Sequence, residues 1–230
     1  MKKNITLFIF SLLFSFSAFS QDYTVGLKAG VSIGHGGEIV GDPHQAYPGR
    51  VHTSIYKEGF HGGIFMQLEM KQFFLRAEGL YNRIQTEFQF DRRPSAYSID
   101  KISVPVLGGY HIYGPFDVYL GPGFSINNGN ATLEDELANN GEIPIDDFYV
   151  ALNAGIKAHL GRFELDVRYE YNLESNEEFS ITMDYTSNGI GPATFTNRRI
   201  NQLMISASVG LFDSKYRPKK SKRKRGCYFR

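Results

Sequence analysis

The chain has no tryptophan and only one cysteine, Cys227, among its 230 residues. A lone cysteine excludes an internal disulfide, so stability must come from strand pairing even in a compartment that permits disulfides. Without tryptophan, the Gly-x-Trp signature of soluble lipocalin-like barrels cannot occur. Mean hydropathy is below zero, which excludes a helical membrane protein but not a barrel whose strands alternate a lipid face with a polar face. Also missing are a glycine-rich phosphate loop, a nucleophile elbow, an HxxxH-type helical spacing and an EF-hand loop. The sequence therefore assigns no catalytic residue, no cofactor and no metal.

What is present begins with a leader. Lys2 and Lys3 precede an apolar run over 5–16, and Ala18, Phe19 and Ser20 end it with the small residues a signal peptidase reads. This predicts a signal peptide over 1–20 and a mature chain starting at Gln21. Aromatics are 14% of the chain, 19 Phe and 14 Tyr, and glycines number 24, a mixture that favours strands and turns. The net charge of +1 hides a segregation: residues 213–230 hold nine Lys or Arg and one Asp. With Lys2 and Lys3 set aside as well, the body over 21–212 carries 14 basic residues against 23 acidic. An acidic body with a basic tail does not describe a nucleic-acid-binding protein.

Residues 23–33 alternate almost perfectly. Tyr23, Val25, Leu27, Ala29, Val31 and Ile33 share one face, with Thr24, Gly26, Lys28, Gly30 and Ser32 on the other. A period of two over this length specifies a strand with one apolar face. The same pattern returns over 60–70, 73–81, 102–112, 116–126, 148–160, 163–173 and 201–212. Eight segments of about ten residues each match the length a tilted strand needs to cross a bilayer. Lys71-Gln72, Tyr113-Gly114-Pro115 and Gly161-Arg162 are tight turns, whereas 34–59, 82–101, 127–147 and 174–200 are long. Short turns at one rim and long loops at the other predict an all-β fold, an eight-stranded antiparallel up-and-down transmembrane barrel in the bacterial outer membrane. An even strand count places both termini on the periplasmic side. Two long connections alternate again, through Ile84, Thr86, Phe88 and Phe90 and through Phe179, Ile181, Met183 and Tyr185. They are expected to extend their strand pairs and to turn near Arg93-Pro94 and Asn188-Gly189. The first long loop is expected to be irregular, and 132–138 to form one acidic helical turn or two.

Alternation alone does not separate a membrane barrel from a soluble one, since both have one apolar face. The polar face decides, because Lys28, Glu69, Arg76, Glu78, Lys157, Asp166, Arg168 and Glu170 mix both signs, as a narrow interior that neutralises itself requires. Tyr23, Phe73, Phe116, Phe163 and Phe212 sit at the short-turn rim, where membrane interfaces favour aromatics. An eight-stranded interior is just wide enough for side chains to fill, so these charges are expected to form a structural plug.

Pro105 and Pro122 each remove a ladder donor inside a predicted strand, and a closed barrel has no edge to hide the loss. A bulge or a water-satisfied carbonyl is expected at each. The stretch Ile102-Ser103-Val104-Pro105-Val106-Leu107 resembles the strand with a central proline in the PorT-like outer-membrane β-barrel family. The same resemblance takes in Leu75-Arg76-Ala77-Glu78-Gly79-Leu80-Tyr81 and Tyr119-Leu120-Gly121-Pro122-Gly123, and it spans 21–212. It implies a porin-like barrel with no family-wide catalytic residues and, through the protein that gives the family its name, a link to secretion and gliding machinery. The basic tail departs from the family's usual ending at the last strand's aromatic.

Some eight-stranded barrels modify lipid A, so loop residues need weighing. His35, His44 and His52 share the first long loop with Glu38 and Asp42, but no motif pairs them with a nucleophile. They are expected to be surface histidines. Glu134, Asp135, Glu136, Glu142, Asp146 and Asp147 in the third long loop are expected to be solvated charges. The tail residues Lys219, Lys220, Lys222, Arg223, Lys224 and Arg225 would face anionic phospholipid or recruit an envelope partner in the periplasm, or form no more than a disordered solubilising end. The expected surroundings are outer-membrane lipid and lipopolysaccharide. The expected function is non-enzymatic, structural or interactive in the envelope, or within a secretion assembly, with a lipid A-modifying enzyme as the alternative.

Overall fold

A computed structural model describes residues 22–41, 50–127, 131–137, 141–143, 148–173, 178–196 and 201–214. The predicted signal peptide, His44, Asp42, Asp146, Asp147 and the tail beyond Ser214 lie outside the described residues, as does the side chain of His35. In chain order the strands are β1 (Asp22–His35), β2 (Glu38–Gly41), β3 (Val51–Tyr56), β4 (Glu58–Met70), β5 (Phe73–Phe88), β6 (Ser95–Tyr113) and β7 (Phe116–Asn127). They continue with β8 (Ala131–Leu133), β9 (Glu142–Ile143), β10 (Phe148–Leu160), β11 (Phe163–Asn172), β12 (Phe179–Thr182), β13 (Pro192–Thr196) and β14 (Asn201–Asp213), with one helical turn, α1 (Tyr185–Asn188), between β12 and β13. The described residues thus carry fourteen strands where the sequence predicts eight. The additional six are short and lie within the long connections.

The eight long strands pair antiparallel in one circuit. β1 pairs with β4, β4 with β5, β5 with β6, β6 with β7, β7 with β10, β10 with β11 and β11 with β14. β14 then returns to β1, with Leu27 opposite Val209 and Lys28 opposite Ser208. Burial follows the pleat. Along β11, Glu164, Asp166, Arg168 and Glu170 are buried, while Phe163, Leu165, Val167 and Tyr169 are exposed. The apolar residues point away from the interior, the reverse of a water-soluble fold. Leu120 and Phe163, for example, are 63% and 62% exposed.

This inversion ends abruptly toward the long connections. On β5 and β6 the outward pair Tyr81 and Ile102 is followed one step up its ladder by Arg83 opposite Asp100. At the same height the inward positions change from polar to apolar: Ile84 and Phe88 are buried, as are Tyr97 and Ile99. Lipid-type chemistry outside and polar chemistry inside both give way there to the ordinary arrangement for water.

Three local expectations are corrected. The first long loop is not irregular where described, because β2 pairs with β3 and with β13, whose side chains supply Ile39 and Phe195 to a buried cluster. The acidic segment is not a helical turn. Ala131–Leu133 is a strand, and Glu136 bridges to Met183 in antiparallel fashion. No bulge forms at Pro105 or Pro122: the ladders skip the positions of Pro105 against Glu78 and of Pro122 against Val106, and resume in the same register beyond them. Gly121 lets the strands approach there, since a Cβ on it would lie 2.0 Å from the Val106 carbonyl oxygen. The short turn after β10 needs Gly161, whose φ of 71° lies in the left-handed region.

Candidate functional site

The interior of the circuit is stacked in layers, each set by ladder register. In the middle layer Glu78 on β5 faces three cations, with Lys28 Nζ at 3.3 Å, Arg76 Nε at 2.7 Å and Arg168 Nη2 at 2.9 Å. Lys28 also donates to Asp166 at 2.6 Å, and the Tyr119 hydroxyl donates to the same carboxylate at 2.6 Å. All of these side chains are buried. One layer toward the long connections, Lys101 donates to Glu170 and to the Tyr149 hydroxyl, and Gln202 donates to Glu170 at 2.9 Å. One layer toward the short turns, Arg76 Nη1 donates to Glu164 at 2.5 Å, and Lys157 donates to the Gln67 amide oxygen at 2.6 Å.

Phe65 and Phe74 are buried on this polar face, which alternation alone does not explain. Arg76 stacks over the Phe65 ring at 3.8 Å and Lys157 over the Phe74 ring at 3.8 Å. Each ring offers its electron-rich face to a desolvated cation.

At the short-turn end, β6, β7 and β10 converge two imidazoles on one carboxylate. His111 and Asp117 are ladder partners, and His159 reaches Asp117 from the far side of β7. His111 Nδ1 lies 2.6 Å from one Asp117 oxygen and His159 Nε2 lies 2.6 Å from the other. Glu69 stands 3.1 Å from His111 Nε2, and Glu164 stands 3.4 Å from His159 Nδ1. Asp117 is buried, while the two rings are partly exposed. A cavity of about 440 Å³ opens beside them, lined by Thr24, Gln67, Glu69, His159, Arg162 and Glu164 among others.

At the opposite end, the long connections close over the interior. Ile39, Ile84, Phe88, Tyr97, Leu133, Ile181 and Phe195 are buried in one cluster. Phe195 packs edge-on against Phe88 and Tyr97, with ring centroids 5.6 and 5.3 Å away. α1 borders this cap. Its N-cap Asp184 accepts from the Thr186 backbone N–H and hydroxyl and from the Ser187 hydroxyl, which hold its carboxyl below the usual range.

Of the eight charges predicted for the interior, Lys28, Arg76, Glu78, Asp166 and Arg168 are brought together directly, and Lys157 joins through Glu164 at 3.7 Å. Glu170 pairs instead with Lys101, one layer away, and Glu69 with His111 at the short-turn rim. Sequence reasoning missed Lys101 because it placed the start of that strand at Ile102. His111, Asp117 and His159 each fall on the polar face of a strand the alternation predicts, over 102–112, 116–126 and 148–160. Only the register reveals that positions 42 residues apart share a site. His52 is not a surface histidine: it is buried in the cap, its Nδ1 2.8 Å from the Gln89 carbonyl oxygen and its ring edge-on to Phe90. Glu136 is likewise buried rather than solvated, and accepts from the Gly141 N–H at 3.1 Å. The tail lysines and arginines, 219–225, lie outside the described residues.

A family model for the outer membrane protein beta-barrel domain matches residues 6–210. Among solved structures the chain is similar to Ail, the attachment invasion locus protein of Yersinia pestis, in complex with the heparin analogue sucrose octasulfate. Identity there is 13% over 83% of this chain and 99% of that one, with a TM-score of 0.43. It is also similar to Neisserial surface protein A, at 17% identity over 81% of this chain and 96% of that one, TM-score 0.43. Similarity to the outer membrane protein OprG from Pseudomonas aeruginosa is at 12% identity over 82% and 95%, TM-score 0.48. No curated protein matches the chain.

Proposed function

The chain belongs to the outer membrane protein beta-barrel domain family, and from that premise we propose that it is a closed, plugged, non-enzymatic barrel of eight transmembrane strands. Its role is to present a folded cap at the cell surface for a structural or interaction function in the envelope. Membership of the PorT-like group and service in a secretion assembly are part of the same proposal. The observation that carries it is the filled interior: paired buried charges across the middle and an apolar cluster beneath the long connections. A pore would need a continuous polar path, and a loop-borne enzyme would need a nucleophile beside its base in an open cleft.

In this reading the short turns and both chain ends face the periplasm. Lys219, Lys220, Lys222, Arg223, Lys224 and Arg225 then meet anionic phospholipid or an envelope partner, and lipopolysaccharide surrounds the outer half of the barrel. Purified full-length protein in planar bilayers is expected to produce no conductance steps, and lipid A from cells with and without the gene is expected to give the same mass spectrum. Stepwise openings would contradict the plug, and a gene-dependent change in lipid A would contradict the non-enzymatic assignment.

A further inference from the structure

We propose that His111, Asp117 and His159 form a binding site for a divalent first-row transition ion of the zinc class, at the short-turn rim of the barrel. Three features of the geometry point there. First, one ligand atom from each residue lies within 4.8 Å of the others. Metal–ligand bonds of about 2.0–2.1 Å in a tetrahedral site require donors about 3.3 Å apart. The two nitrogens are 2.6 Å from the Asp117 oxygens and the three ligand atoms lie within 4.8 Å of one another, so seating an ion needs displacements on the order of 1 Å of partly exposed rings.

Second, the far nitrogen of each imidazole already faces a carboxylate, Glu69 for His111 and Glu164 for His159. That is the outer-shell arrangement of metal-bound histidine, in which the second N–H donates to a carboxylate and fixes the tautomer that offers its lone pair to the metal. Third, the two imidazoles are set among three carboxylates, Glu69, Asp117 and Glu164, a surrounding that favours a bound cation.

The ligands are held from three adjacent strands by the backbone. The His111 N–H donates to the Gln72 carbonyl and the His159 N–H to the Pro115 carbonyl, each tying a ligand to a short turn. The adjoining cavity leaves room for water or a further oxygen ligand to complete the coordination. Two imidazoles with carboxylate suit zinc and its first-row neighbours rather than calcium or magnesium, which prefer all-oxygen sites. The inference depends on the register of β6, β7 and β10 and not on whether the barrel conducts or what it contacts.

The test is a Zn²⁺ titration, by calorimetry, of the full-length chain refolded in detergent micelles and stripped with chelator. One equivalent is expected to bind, and His111→Ala or His159→Ala to weaken it beyond the roughly 10–100-fold that an outer-shell change costs. Glu69→Gln is expected to fall within that outer-shell range. X-ray absorption at the zinc edge of the unmutated protein, which does not depend on any variant folding, is expected to show two imidazoles with oxygen at about 2.0–2.1 Å. Absence of saturable binding, a sulfur ligand from Cys227, or affinity unchanged in His111→Ala and His159→Ala would each overturn the site and leave a hydrogen-bonded cluster only.

Discussion

Glu78→Gln is expected to destabilise the folded barrel by about 3–5 kcal/mol, read as a shift in its urea unfolding midpoint in micelles or vesicles. The side chain is fully buried, and its carboxylate is the common partner of Lys28, Arg76 and Arg168. Glutamine keeps the shape but removes the charge, so three desolvated cations are left with Asp166 and Glu164 as their remaining anionic neighbours. Removing one member of a buried cluster strands the others, which costs far more than an exposed pair contributes. Glu87→Gln is the control, because Glu87 pairs with Lys57 at 2.7 Å at a position where the lysine is half exposed. Its loss should change stability by no more than about 1 kcal/mol. Equal effects from the two variants would mean that the charges around Glu78 are reached by water.

Val167→Arg is expected to cost roughly 2–4 kcal/mol, while Val167→Leu is nearly neutral. Val167 sits mid-strand on β11, 50% exposed, opposite Ile156 on one side and Ile205 on the other. In water an arginine at so open a position would be harmless. In lipid its guanidinium must be desolvated or drawn to an interface. The same substitution therefore distinguishes the two solvents, and the arginine variant folding as well as the leucine variant would contradict a lipid-facing β11.

The alternation of residues made the long strands legible because a strand with one face in the interior and the other turned outward must alternate along its whole length. Lys28, Asp166 and Arg168 were legible for the same reason: a charge on such a strand has only the interior to occupy. What failed to show in the sequence lies where that constraint lapses. In the connections, β2, β3, β8 and β9 are two to six residues long, too short for a period to register. Their pairing depends on a shared cluster assembled from distant segments, with Ile39 and Phe195 brought together by the β2–β13 ladder. His52 was misplaced because a histidine in a polar, glycine-rich loop carries no sign of burial. The His111–Asp117–His159 site was hidden for a different reason. Each residue obeys the strand pattern, and only cross-strand register makes neighbours of them.

Closure of the strand circuit with lipid on every outer face is the central claim, and a spin-label scan of one outward position per long strand tests it directly. In a Cys227→Ser background, single cysteines at Leu27, Ile64, Ala77, Val104, Leu120, Ile156, Val167 and Ile205, all exposed, are labelled and refolded into vesicles. All eight labels are expected to collide often with oxygen, which partitions into lipid, and rarely with a water-soluble nickel complex. Nickel accessibility at two neighbouring strands would place that stretch of the sheet in water and contradict a closed transmembrane barrel.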